Sequence, residues 1–211
     1  MRDVPANLKY DQTESASNVY ILISLYDSIV SKIGSESLRD VALLVIDMQI
    51  GNFLEPHPIY NGNELLSKVK DLINKARSAG IPIVYVQNNG GSGDPDEYNT
   101  PGWEIHPSIA PTEGDVVVEK QTPDAFHKTN LHDELESKEI KKLIIVGLQT
   151  EYCIDTTCRR AFSLGYEIVL VKDAHSTWDS SQLTAKQIIE HHNKVLGGYF
   201  ATLKNKNEVE F

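Results

Sequence analysis

The sequence predicts an α/β fold, with a mainly parallel sheet of about six strands held between two layers of helices. Three observations carry that prediction. From residue 41 onward, short β-rich runs alternate with stretches of helical apolar spacing. The first run is continuously apolar rather than alternating, as expected of a strand covered on both faces. The repeated strand, helix, strand order implies right-handed crossovers, which place helices on both sides of the sheet.

The elements follow in order. "VALLVID" (41–47) reads as the first strand. Leu65, Val69, Leu72, Ile73 and Ala76 then recur at helical spacing, and Gly80 before Ile81-Pro82 is a helix stop. "PIVYVQ" (82–87) and "DVVVEK" (115–120) read as the second and third strands. A helix near 131–138 leads to the strand "KLIIVG" (142–147). The next helix opens at "TEYC" and places Ile154, Cys158, Ala161 and Phe162 on its buried face. "YEIVLVKD" (166–173) is a fifth strand. A helix near 182–193 turns Ala185, Ile188, Ile189 and His192 inward, and "FATLK" (200–204) suits a short last strand. The result is a Rossmann-like three-layer α/β/α sandwich over residues 40–211. Residues 1–39 form an N-terminal extension to it, in which Val19 to Ile33 has the spacing of one amphipathic helix. A partly ordered segment fits those residues equally well. Residues 88–114 make a long Gly- and Pro-rich connection, and loops of that length in compact domains are usually functional or mobile.

Composition narrows the function classes. The chain has 211 residues, 40% of them hydrophobic and 24% charged, as in ordinary globular proteins. Its formal net charge of -10 repels nucleic-acid phosphates and anionic membranes, so neither is an expected partner. No stretch approaches the roughly 20 apolar residues that span a bilayer. The apolar run Val19 to Leu25 is short, and the acidic residues before it lack the basic flank of a signal peptide. Two cysteines in such a chain fit a reducing cytoplasm.

Parallel sheets of this kind bind ligands beyond the carboxyl ends of their strands. Three reactive groups sit there. Asp47 closes the first strand, Lys120 closes the third, and Cys153 lies just past the fourth, in the turn that opens a helix. Each has an ordinary reading: Asp47 as a turn cap or Mg²⁺ ligand, Lys120 as a solvated lysine, Cys153 as a structural thiol. Cys153 and Cys158 are five apart, about 140° around a helix, so a disulfide between them is geometrically poor. Zinc spacing is lacking as well. Cys158 falls on the apolar stripe, whereas Cys153 lies in the first helical turn, where free N–H groups favour a thiolate.

Three segments, "LLVIDMQ", "VVEKQTPDAF" and "IIVGLQTEYCIDTTCRRAFSLGYEIVLVKDAHST", resemble those of the isochorismatase-like cysteine hydrolases, in the same order and spacing. The resemblance covers roughly residues 40–204, and uncharacterised and streptothricin-hydrolase-like members look most similar. It implies an Asp–Lys–Cys triad at Asp47, Lys120 and Cys153, and a non-proline cis peptide between Leu148 and Gln149 in the oxyanion turn. It further implies a small-molecule substrate, no cofactor, and assembly as a homo-oligomer. The cysteine favours hydrolysis of an amide-type C–N bond through a thioester over isochorismatase-type ether cleavage. A non-catalytic, doubly wound ligand-binding protein is the alternative from another class, although "DMQIGNF" carries only one glycine for a phosphate turn. Nicotinamidases in this family add a metal site with an Asp-x-His element after the second strand. Here that stretch is "VQNNGGSGDPDEY", so no metal is expected. Trp103, His106, Asp124, Phe126, Tyr152 and His175 are candidate substrate contacts, with loop packing, subunit contacts and buried structural roles as the ordinary alternatives.

Overall fold

The computed structural model describes residues 40–211, and the helix expected within 19–33 lies outside them. Six strands form one sheet: β1 (Val41–Ile46), β2 (Ile83–Asn88), β3 (Val116–Lys120), β4 (Lys142–Leu148), β5 (Glu167–Ser176) and β6 (Thr202–Lys204). Their spatial order is β3-β2-β1-β4-β5-β6, and every neighbouring pair is parallel. The order in which strands are added to the sheet therefore reverses between β1 and β4. That is the switch point where the two adjacent loops part and leave a crevice.

Every residue of β1 is buried, because apolar layers cover both faces of the strand. On one face Leu43 and Val45 pack with Leu65, Val69, Leu72 and Ile73 of helix α1 (Gly62–Ser78). On the other, Ala42, Leu44 and Ile46 pack with Leu131 and Leu135 of α2 (Leu131–Ser137) and with Cys158 and Ala161 of α3 (Asp155–Ser163). Helix α4 (Ala185–Gly197) joins this second layer through Leu196. Its start is held by a capping box in which Thr184 and Gln187 satisfy each other's backbone N–H groups.

The departures from the sequence reading cluster at the carboxyl ends. Strand β5 runs to Ser176, three residues past the expected end. The pairing of β4 with β5 shifts register between Ile145 and Gly147, with the extra residues on β5, and beyond it His175 and Ser176 pair with Gly147 and Leu148. Thr150–Ile154 is a π-helical turn rather than the first turn of an α-helix, which begins only at Asp155. Phe162 is exposed rather than inward, against Tyr199 and Phe200. His192 is half-buried, with Nδ1 3.2 Å from Asp155 Oδ1. Among the described residues, no helix is long and apolar enough to cross a membrane.

Candidate active site

The switch-point crevice is a cavity of about 430 Å³. Asp47, Cys153, Leu148, Gln149 and Asn88 line its inner end. Lys120 lies behind them with its side chain wholly buried. A lysine inside a protein must have its ammonium hydrogens taken, and all three are. Nζ is 2.8 Å from Asp47 Oδ2, 3.1 Å from Asn88 Oδ1 and 3.2 Å from Cys153 Sγ. One ammonium thus ties a carboxylate to a thiol across three strand ends.

Local backbone explains how each group arrives. Asp47 leaves β1 with φ 51, a left-handed conformation that Asp tolerates better than most residues. Asn52 Nδ2 holds the Asp47 carbonyl at 3.0 Å. Gln49, fully buried, clips the end of β2 by exchanging two 2.8 Å hydrogen bonds with the backbone of Asn88, and so aims Asn88 at Lys120. Gly147 has φ 119 beside Ile46, the residue before Asp47, and a Cβ there would stand 2.0 Å from the Ile46 carbonyl oxygen. Only glycine lets β4 come this close to β1 at the level of the site. The next peptide, Leu148–Gln149, is cis. The Gln149 side chain then joins Glu151 and Thr177 in a closed hydrogen-bonded set.

Burial pushes the Cys153 thiol up to about 12, with Asp47 adding to the shift and Lys120 opposing it. Desolvation thus favours the protonated sulfur, against the pull of the turn's N–H groups toward a thiolate. Asp47 is raised above the ordinary carboxylate value by burial, against the pull of Lys120. Burial works against the Lys120 charge, but Asp47 and Cys153 more than offset it, so Lys120 stays an ammonium. Asp47 Oδ1 is sealed from solvent and receives no hydrogen bond among the described residues, so one carboxylate oxygen is free to take a proton. A raised carboxylate beside a raised thiol suits proton transfer during attack rather than a preformed ion.

The six expected substrate contacts are not among the residues that line this cavity. Trp103 donates Nε1–H to Asn89 Oδ1 and packs edge-on against Tyr98, inside its own loop. His106 caps a short 3₁₀ turn through Ser108 and meets Phe53 edge-on. Asp124 caps the Phe126 N–H, while Phe126 is core, stacked with Tyr166. Tyr152 is 55% exposed and is not part of the cavity wall. His175 is buried behind the Thr150–Ile154 turn, where Nδ1 accepts from Thr150 Oγ1 at 2.9 Å and Nε2 donates to Asn193 Oδ1 at 3.0 Å. The cavity instead uses Asn52, His57, Asp94, Asp96 and Trp178. Composition gave no hint of these, apart from the length of the loop that holds Asp94 and Asp96. The side chains after β2 do not fit a zinc site, since Asn88 and Asn89 stand there and are committed to other protein groups. Among the described residues, no three His, Cys, Asp or Glu side chains gather as metal ligands.

His175 yields a stability prediction. Burial, helped by His192 and opposed by Asn193, lowers its pKa to about 4 from the ordinary 6.5. Between those values the unfolded chain binds the proton that the folded one refuses, so stability is full above pH 6.5 and falls as pH drops toward 4. The expected loss is about 3 kcal/mol. Urea unfolding at pH 7 and pH 4.5 should show it, and His175→Gln should remove that part of the slope. Equal slopes in both proteins would assign the acid loss elsewhere.

Residues 41–196 match the Isochorismatase domain family. A streptothricin hydrolase of Streptomyces noursei is 36% identical over 138 residues, 65% of this chain, and the chain spans only 50% of that relative's length. Nicotinamidase 3 of Arabidopsis thaliana is 33% identical over 152 residues, covering 65% of this chain and 74% of the relative. The crystal structure of an isochorismatase family protein superposes with a TM-score of 0.75 at 33% identity, covering 80% of this chain and 99% of that one.

Proposed function

This chain belongs to the isochorismatase family, and from that premise we propose that residues 40–211 are a cysteine hydrolase of small amides. The observation that carries the reading is the single buried ammonium that holds a carboxylate and a thiol at the end of one cavity. Relatives named as a streptothricin hydrolase and a nicotinamidase support a C–N bond as the target.

In the proposed reaction Asp47 Oδ1 takes the Cys153 proton as Sγ bonds to the amide carbon and the carbonyl electrons move onto oxygen. Backbone N–H groups of the Gln149–Cys153 turn hold that oxyanion, with Cys153's own foremost. The Tyr152 and Ile154 N–H groups are both committed to the Gln149 carbonyl. Collapse breaks the C–N bond, and Asp47 returns its proton to the departing amine. Water then attacks the thioester, giving its proton to Asp47 as the second oxyanion forms. The C–S bond breaks with the carboxylic acid as product, and Cys153 recovers its proton. Lys120 stays an ammonium throughout and steadies Asp47 between its two states.

Acid quench during turnover, followed by peptide mass spectrometry, tests this. A panel of small amides with ammonia release as the readout identifies a substrate. The expected result is an acyl mass on the peptide that carries Cys153. Turnover with no acyl-cysteine at any time after mixing would defeat the thioester route.

A further inference from the structure

We propose that the substrate of this site carries a positive charge, an ammonium or guanidinium that Asp96 binds at the cavity wall. The inference rests on the cavity being the amide-hydrolysing site. It starts from an unusual burial: Asp96 is 8% exposed and lines the cavity. Carboxylates are rarely so buried without a cation, yet no Lys, Arg or His lies in salt-bridge contact with Asp96 among the described residues. Among the described residues its one side-chain hydrogen bond is from Asn88 Nδ2 to Oδ2, at 2.9 Å. Oδ1 receives none among the described residues. Asp96 thus lines the cavity as a carboxylate with no cation beside it among the described residues.

The position is built rather than accidental. Three glycines clamp the loop from behind. A Cβ on Gly51 would stand 1.8 Å from the Pro95 carbonyl oxygen, one on Gly102 would stand 2.2 Å from it, and one on Gly90 would stand 2.4 Å from Asp96 Oδ1. Gly90 also donates its N–H to the Asp96 carbonyl at 3.1 Å. Asn88 links Asp96 to the ion pair, since its Oδ1 takes a Lys120 hydrogen while its Nδ2 holds Asp96. Asp96 therefore stands one side chain away from the reacting groups, within the reach of a small molecule.

Charge balance points the same way. The cavity wall carries the carboxylates of Asp47, Asp94 and Asp96 and no Lys or Arg. Lys120, behind it, has all three hydrogens engaged and offsets one of them. A cation bound at Asp96 reduces that excess of negative charge, whereas an anionic substrate would add to it. Trp178 adds an aromatic wall, its indole N–H tied to the His57 carbonyl at 2.8 Å, and such walls suit ammonium and guanidinium groups.

Three primary amides of matched length test this: 5-aminopentanamide, hexanamide and 5-amino-5-oxopentanoate, with ammonia release as the readout. The wild-type protein should favour the ammonium amide over hexanamide by at least about tenfold in kcat/KM, with the carboxylate last. In Asp96→Asn that ratio should fall toward one. A structural role for Asp96 would lower both rates and leave the ratio unchanged, and that outcome overturns the proposal. So does a wild-type ratio near one, or a carboxylate amide cleaved as well as the ammonium one, and neither of these needs the variant to fold. If no amide is cleaved, the amidase reading fails and binding to Cys153→Ala by calorimetry decides the charge question. Tighter binding of 5-aminopentanamide than of hexanamide sustains the proposal, while equal binding or none overturns it.

Discussion

Amide turnover is expected to fall by about 10³-fold or more in Cys153→Ala, and by a comparable factor in Asp47→Asn. The two losses should not add. The buried thiol, pushed up to about 12, has no anion to offer without a base, and Asp47 has no task without the sulfur. Groups that act as one unit lose nearly everything with the first removal. A double variant slower than either single one by a further factor of a hundred would mean that the two groups work independently. Full turnover in Cys153→Ala would remove the nucleophile from the scheme.

The same substitutions differ in stability. Asp47→Asn leaves the Lys120 ammonium buried without its carboxylate, at a cost of about 3–5 kcal/mol. Pairing it with Lys120→Met removes the uncompensated charge and should recover most of that loss in urea unfolding, with activity still absent. Restored stability without activity separates the site's chemistry from its packing.

Gly147→Ala is expected to destabilise the fold by about 4 kcal/mol or more, a fall of about 10 °C in Tm. Two causes combine. The residue keeps φ 119, which an L side chain resists, and the added Cβ would sit 2.0 Å from a backbone oxygen of β1. Neither strand has a flexible side chain that could yield at that contact. Gly165→Ala is the control, because Gly165 has φ 92 but nothing within 4 Å of the added atom. It should cost only about 1–2 kcal/mol, the backbone share. Equal losses in the two variants would mean that the close approach of β4 to β1 is soft. Any folded Gly147→Ala protein should also be slow, since relieving the overlap moves the Cys153 turn away from Asp47.

Most of the fold was legible because its elements are periodic. Continuous apolar runs mark β1 and β4, and a stripe from Leu65 to Ala76 marks α1. The misses share a cause. Strand β5 outran its apolar run because, past a register shift against β4, His175 and Ser176 find backbone partners in Gly147 and Leu148. Thr150–Ile154 is π-helical because the turn closes its hydrogen bonds on the Gln149 carbonyl, and no periodicity signals that.

By itself the sequence determined the parallel α/β order, and with it the strand ends at which Asp47, Lys120 and Cys153 stand. Those are properties of pattern and sequence position. Only the tertiary structure decided what meets there: Asn88 under Gln49, Asp96 in a loop packed against three glycines, and Trp178 from past the end of β5. It also placed Trp103, His106, Asp124 and Phe126 in packing and turn contacts outside that cavity's lining. The reason is physical. Strand and helix patterns follow from how each residue meets water along one element, whereas a cavity wall is set by which loops the sheet brings together, and loop residues carry no period to announce it.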